Sequence, residues 1–334
     1  LSKNLLEVNQ LSISFWLKDR WLKAVKDVSF SVKQGEIVAI VGESGSGKSV
    51  TAETLLGLHK PATTKVEGQI TFDDQRVYDE KTSHLASLRG KEIGMVFQDA
   101  LNSLNPVFKI ENQFIETLRQ HQKLSKKAAR LAAIEALQLA GISDPERVLN
   151  SYPHELSGGL QQRVMIALAI SCQPKLLIGD EPTTALDVTI QYQILALLKD
   201  IQHQLNTAIL IITHDFGVVA EIANRVMVMY AGEIVESGPT ADILNSPRHP
   251  YTQSLLKSRI PKDNQTTEGK LTTIEGSVPS LQAMPEDGCR FAPRIPWLPD
   301  SAHETSPQLH LLGNDHWVRC RCWESFKFAE ELSS

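Results

Sequence analysis

The sequence predicts an α/β protein: a parallel-sheet core that carries a phosphate-binding loop, a helical insertion, and a loop-rich tail. Three observations lead there. Short apolar runs alternate with longer helical patterns, as in parallel architectures. A Gly-rich segment joins one such run to a helix, and regular periodicity fades after about residue 261.

Strands are predicted at Leu5–Ser14, Val28–Val32, Glu36–Val41, Gly68–Phe72, Glu92–Phe97, Lys175–Gly179, Ala208–Thr213 and Arg225–Tyr230. Several are unbroken in Val, Ile or Leu, the pattern of strands covered on both faces. Between Gln98 and Cys172 the pattern changes. Lys126–Ala140 spaces its apolar residues by three and four, which predicts a helix. Residues 99–171 therefore read as a helical subdomain inserted between two parts of the core, 1–98 and 172–260. Six prolines lie between Pro279 and Pro307, so 261–334 reads as a separate small appendage rich in loops.

Composition narrows the function. The 334 residues contain 42% hydrophobic side chains and four cysteines, which suits a chain of about two domains and excludes a disulfide scaffold. The formal net charge of −5 lacks the basic footprint of a nucleic-acid binder. No apolar run reaches the 18 or so residues of a membrane span. The opening LSKNLLEVNQLSISF lacks the order of a secretory leader, so cytosolic residence and reduced thiols are expected. No internal repeat appears, which gives one nucleotide site per chain.

Gly42-Glu-Ser44-Gly45-Ser46-Gly47-Lys48-Ser49 follows the strand EIVAIV and precedes a helical pattern that starts at Ser49-Val50. The Gly–four residues–Gly–Lys–Ser order is that of a phosphate loop. Its glycines let backbone N–H groups converge on one phosphate, Lys48 reaches the outer phosphates, and the Ser49 hydroxyl reaches Mg²⁺. A second acidic site ends the apolar run Lys175-Leu-Leu-Ile-Gly-Asp180-Glu181. There Asp180 is the candidate Mg²⁺ ligand and Glu181 the candidate general base. Leu156-Ser157-Gly158-Gly159-Leu160-Gln161-Gln162-Arg163 supplies a second glycine-rich helix start, in which Ser157 is placed to cap a helix whose bare N–H groups suit a γ-phosphate.

Together these motifs resemble the ATP-binding cassette family, the ATPase subunits of ABC transporters. The resemblance implies a RecA-like phosphate-loop core with an antiparallel β subdomain and a helical subdomain. It also implies that Ser157, Gly158, Gly159 and Gln161 address ATP held by a facing subunit. By the same resemblance Gln98 is the Q-loop glutamine, a sensor of Mg²⁺ and water. Ala185-Leu186-Asp187 is the D-loop at the subunit junction, and His214 is the switch histidine that contacts γ-phosphate and water. Phe15 is the expected adenine-stacking aromatic, with Trp16 and Trp21 as alternatives in FWLKDRWLK.

Within that family VGESGSGKS, FQDALNSLNP, YPHELSGGLQQRV, VMYAGEIVESG and SPRHPYTQSLL look like ATPase subunits of bacterial dipeptide, oligopeptide and nickel importers. The likeness runs from about Leu5 to Trp323. It implies ATP and Mg²⁺ as cofactors and a sister ATPase as partner, giving a heterodimer. It further implies two transmembrane permeases, a substrate-binding protein engaged indirectly, and a place on the cytoplasmic face of the membrane. The Leu, Asn and Pro of Ala100–Pro106, Leu104 included, would form part of the groove for a permease coupling helix. A nickel or metal-chelate importer is the alternative reading. DNA-repair ATPases and translation factors share the nucleotide motifs, but neither their long coiled coils nor their paired cassettes are present.

The tail departs from the pattern. Relatives of this type often carry a cysteine set that starts GC-x-F-x-P-R-C-P and ends H-x-V-x-C, and some bind an iron–sulfur cluster. Here Ile295 replaces the second cysteine. Cys289, Cys320 and Cys322 supply at most three thiolates, and Cys172 reads as a core residue. No four-cysteine cluster is therefore expected. His303 or His316 is the candidate fourth ligand of a mixed site; otherwise the tail packs around Phe291, Trp297 and Trp317 as a scaffold.

Overall fold

The structure, a computed structural model, describes residues 3–98, 103–184, 186–258, 276–285 and 287–328. Ala100, Leu101 and Asn102 of the expected permease groove, and Ala185 of the D-loop, lie outside the described residues.

A small antiparallel sheet comes first. β1 (Asn4–Leu17) pairs with β2 (Arg20–Lys33) and with β4 (Thr64–Phe72), and β4 pairs with β5 (Gln75–Tyr78), in the order β2-β1-β4-β5. The residues FWLKDRWLK form the β1–β2 hairpin: Trp16 faces Trp21 across it, and Lys18 and Asp19 take φ of 48° and 60°. Two left-handed residues make a turn whose twist matches the strands it joins. Asp73-Asp74 makes the same turn between β4 and β5. That dipeptide was the signal for β5, which period alone does not reveal in four residues.

The main sheet ends on β10 (Glu233–Pro239), β11 (Leu309–Gly313) and β12 (His316–Arg319) and runs β11-β12-β10, then Arg225–Tyr230, Ile37–Val41, Ala208–Thr213, Leu176–Asp180 and Ile93–Val96. Its parallel part comprises β3 (Ile37–Val41), β6 (Ile93–Val96), β7 (Leu176–Asp180), β8 (Ala208–Thr213) and β9 (Arg225–Tyr230). Every residue of β3, β7 and β8 is buried, because one sheet face meets the small sheet and the other meets helices. β10 (Glu233–Pro239) then turns back antiparallel to β9.

The insertion is helical: α3 (Ile110–Gln122), α4 (Lys126–Leu139), α5 (Pro145–Asn150) and α6 (Gly158–Ile170), after the short α1 (Lys48–Leu55) and α2 (Leu85–Leu88). Ser125 caps α4 by accepting the Ala128 N–H, and Asp144 caps α5 through Arg147 N–H. Leu104 is fully buried in the same cluster as Phe114, Leu118 and Leu137. It therefore does not line a docking groove as the sequence suggested; among the described residues that follow it, Asn105, Pro106, Val107 and Phe108 are exposed. Cys172 belongs to that core too, as expected.

The tail is rich in loops but not detached. β11 (Leu309–Gly313) and β12 (His316–Arg319) form a hairpin about Asn314-Asp315, and β12 pairs with β10 through Glu236↔Val318. Phe291, Ile295, Cys320 and Cys322 share one core with Tyr230 and Tyr251. Tyr251 lies on α10 (Pro250–Lys257), which follows α7 (Val188–Leu205), α8 (Phe216–Ile222) and α9 (Thr240–Asn245). Among the described residues β11 pairs with β12 alone, and β12 ties the hairpin to β10; pairing of such short segments with a distant strand leaves little mark in sequence, which is why they read as loop.

Candidate active site

The chemistry collects where the parallel strands end. β3, β8 and β7 are neighbours, with Val41 opposite Thr213 and Asp180 opposite Ile212. The phosphate loop follows β3, Asp180-Glu181 closes β7, and His214 follows β8, so their carboxyl ends bring three sequence-distant motifs together.

Each part of the loop has a local cause. A Cβ on Gly42 would stand 2.1 Å from the Met229 carbonyl oxygen, so only glycine fits beside β9. Gly47, at φ 102°, turns the chain into α1, whose positive end then faces the loop. Lys48 is buried and donates to the carbonyls of Gly42 at 2.7 Å and Glu43 at 2.9 Å. Burial pushes its ammonium pKa down, and attraction from Glu181, Asp180 and Glu43 only partly offsets that. The Ser49 hydroxyl donates to Asp180 Oδ1 at 3.1 Å. This hydroxyl and carboxylate fit a hard divalent cation, which takes oxygen ligands. Desolvation raises the Asp180 pKa despite the Ser49 bond.

Glu181 is the hub. Its Oε2 accepts from the Thr184 hydroxyl at 2.7 Å and from Gln98 Nε2 at 3.3 Å, and its Oε1 lies 3.0 Å from His214 Nδ1. Burial pushes its carboxyl up, but the Thr184 and His214 bonds, with the Lys48 charge, outweigh it and leave the pKa lowered. Its backbone sits at φ 47°, a strained value anchored by Glu181 N–H donating to the Ile212 carbonyl at 2.8 Å.

A cleft of about 550 Å³ joins Ser44, Gly45, Gly47, Lys48, Ser49, Val50, Gln98 and Glu181 to Phe15. Trp16 and Trp21 do not line it; they pack edge-on against each other with ring centroids 5.3 Å apart. Val278, Pro279, Ser280, Leu281 and Met284 from the tail line it as well. Sequence reasoning missed those five, since nothing in a proline-containing loop indicates which cleft it borders. It missed Thr184 too, for which three-residue spacing from Glu181 was the available signal.

Ser157, Gly158 and Gly159 are absent from that cleft. Ser157 sits at the N-cap position of α6, but its side chain makes no capping bond and is exposed with Gly158. Gln161 corrects the expectation that it faces ATP: it is buried and donates to the Pro153 and Leu156 carbonyls at 2.7 and 3.0 Å, so it braces the loop from behind. Asp187 accepts from Ile190 N–H at 2.9 Å and caps α7 (Val188–Leu205).

Residues 25–184 match the ABC transporter family, and residues 235–297 match the oligopeptide/dipeptide transporter C-terminal region. The chain is 44% identical over 331 residues to the oligopeptide transport ATP-binding protein OppD of Lactococcus lactis subsp. cremoris, covering 99% of this chain and 97% of that protein. The chain belongs to the ABC transporter ATP-binding proteins. A second relative of this ABC ATPase, AppD of Bacillus subtilis, is 47% identical and covers 96% of this chain and 97% of its own. The cassette fold is shared with a dimeric ATP-binding cassette in a post-hydrolysis state bound to ADP and Pi (TM-score 0.61, 30% identity, 70% of this chain and 98% of that one). The structure of cbiO1 from Clostridium perfringens matches with TM-score 0.60 and 31% identity, covering 72% and 90%. Among the described residues no helix of the ABC ATPase is long and apolar enough to cross a membrane.

Proposed function

We propose that this ABC ATPase hydrolyses ATP to drive peptide import, working as one of two ATPase subunits beneath two membrane permeases at the cytoplasmic face. The observation that carries the ATPase reading is the convergence on Glu181 of Thr184, Gln98 and His214 beside Lys48 and Asp180. The peptide cargo rests on the two relatives, both oligopeptide transport ATP-binding proteins, and nothing favours nickel. A substrate-binding protein would then choose the cargo outside this chain.

In this reading Gly42, Ser44, Gly45, Ser46, Gly47, Lys48, Ser49 and Val50 hold the phosphates, and Phe15 stacks on adenine. Ser49, Asp180 and Gln98 would hold Mg²⁺, which when bound offsets charge on the outer phosphates. Glu181, kept ionised, accepts a proton from the attacking water, and His214 orients that pair. Ser157, Gly158 and Gly159, the first two exposed and all three outside the chain's own cleft, would serve the ATP of the facing subunit, with Asp187 at the junction. That partner is a sister ATPase rather than a second copy. Glu181→Gln in the assembled transporter should abolish turnover, retain ATP and hold the two ATPases closed. Wild-type hydrolysis in that variant would remove the general-base role.

A further inference from the structure

The tail holds a cluster of metal-binding side chains that hydrolysis does not use. Cys289, His303, Cys320 and Cys322 each offer one ligand atom, and those four atoms lie within 4.8 Å of one another. The fold makes this convergence: Cys320 and Cys322 lie just past β12, and His303 follows a single turn at Asp300–Ala302. Cys320 and Cys322 are buried and Cys289 half-buried. The Nδ1 of His303 is buried with no hydrogen-bond partner, a costly state for an imidazole nitrogen that a bound cation would relieve. Glu304 N–H points to Cys320 Sγ at 3.5 Å, the amide-to-sulfur contact that supports a metal-bound thiolate. His316, the other candidate, bonds Glu236 at 2.8 Å instead.

A four-iron cluster does not fit these residues. Ile295 fills the second cysteine position as a fully buried core side chain. A cluster also sets an iron–sulfur cube between its ligands, holding them farther apart than around one ion. Tetrahedral zinc, with Zn–S about 2.3 Å and Zn–N about 2.0 Å, separates its ligand atoms by about 3.5–3.8 Å, within the observed spread. We propose that Cys289, His303, Cys320 and Cys322 form a closed Cys₃His site for one structural Zn²⁺ ion. The thiols release their protons to solvent as they ligate, with no change in oxidation state. The ion would fasten the tail to the phosphate loop: Arg290 next to Cys289 donates to the Ala231 carbonyl, and Arg294 pairs with Glu43 of the loop at 2.8 Å. The site does not depend on the peptide-import reading.

The test uses the full chain, purified under reducing conditions without a metal-affinity tag, with zinc, iron and acid-labile sulfide measured per chain. One zinc per chain is expected, with an X-ray absorption fine structure of three sulfurs at about 2.3 Å and one nitrogen at about 2.0 Å. Cys322→Ser and His303→Ala should each release zinc to a chelator at least tenfold faster, while Cys172→Ser should not. Four iron and four sulfide per chain would overturn the proposal. So would a folded chain that takes up no zinc when supplied, or a zinc shell of different ligands. The absorption measurement needs only the wild-type chain, so a variant that fails to fold leaves the proposal decidable.

Discussion

As the proposed general base, Glu181 meets opposing demands, since a base must be ionised yet this one sits in a partly desolvated cleft. Its hydrogen bonds resolve this in favour of the anion, holding its pKa below the ordinary 4.5. A base with a lowered pKa stays active at neutral pH and loses activity as pH falls through that value. Thr184→Val removes a bond to the ionised form. The acidic limb of the pH–rate profile should therefore move to higher pH, with the neutral plateau retained; an unmoved limb would show that Thr184 does not set it. Lys48→Ala acts on binding instead. A charge-assisted hydrogen bond contributes about 1.5–3 kcal/mol, so ATP affinity measured by titration calorimetry should fall by roughly 10-fold to 150-fold.

Elements behind the phosphate loop matter as much as the loop. Glu43 N–H donates to the Tyr251 hydroxyl at 2.8 Å, so α10 touches the loop directly, and the buried Glu236 accepts from the Arg248 and His249 N–H groups that start it. This gives the segment SPRHPY a physical role: it plants a phenol under the phosphate site. Tyr251→Phe removes one bond to a loop amide, worth about 0.5–1.5 kcal/mol, and should weaken ATP binding by roughly 2-fold to 12-fold with the fold intact by circular dichroism. In the helical insertion, depth separates stability from coupling. Leu104→Ala should cost about 2–5 kcal/mol in chemical denaturation, because it empties a fully buried site. Phe108→Ala, at a half-exposed surface residue, should change stability by no more than about 0.5 kcal/mol yet lower transport-coupled ATPase activity. Equal losses at both positions would argue against a docking role for Phe108.

At the scale of the molecule, Ser157–Gly159 lie outside the chain's own cleft, and in the proposed reading hydrolysis is therefore a property of an assembly. Gly158 tests this cleanly, since a Cβ there meets nothing within 4 Å. Gly158→Asp places a carboxylate at the start of α6, where the helix dipole favours it, so the melting temperature should hold or rise. The same charge would repel phosphate from a facing subunit, so turnover in the assembled transporter should collapse. Retained turnover would detach the signature loop from catalysis. Native mass spectrometry of the complex decides the partner: one copy of this chain beside a different ATPase is expected, and two copies would exclude the sister-subunit arrangement.

Local rules were enough for much of this protein. Ala208–Thr213 and Arg225–Tyr230 appear as strands with the bounds their unbroken apolar runs predict, because burial on both faces leaves a mark in sequence. The phosphate loop was legible since its glycines answer to backbone sterics within eight residues. Gln161 was not: whether a glutamine faces a ligand or braces a loop depends on Pro153 and Leu156 carbonyls brought under it by folding. Leu104 reads as part of a groove from its motif, and only the helices that close over it make it core. The tail shows the limit most clearly, for β12 joins the main sheet by pairing with the distant β10, and His303 lies with the cysteines while Glu236 holds His316. Periodicity and backbone sterics act between near neighbours and are written along the chain. Competition among distant groups for a shared partner is settled only when tertiary packing brings the rivals together.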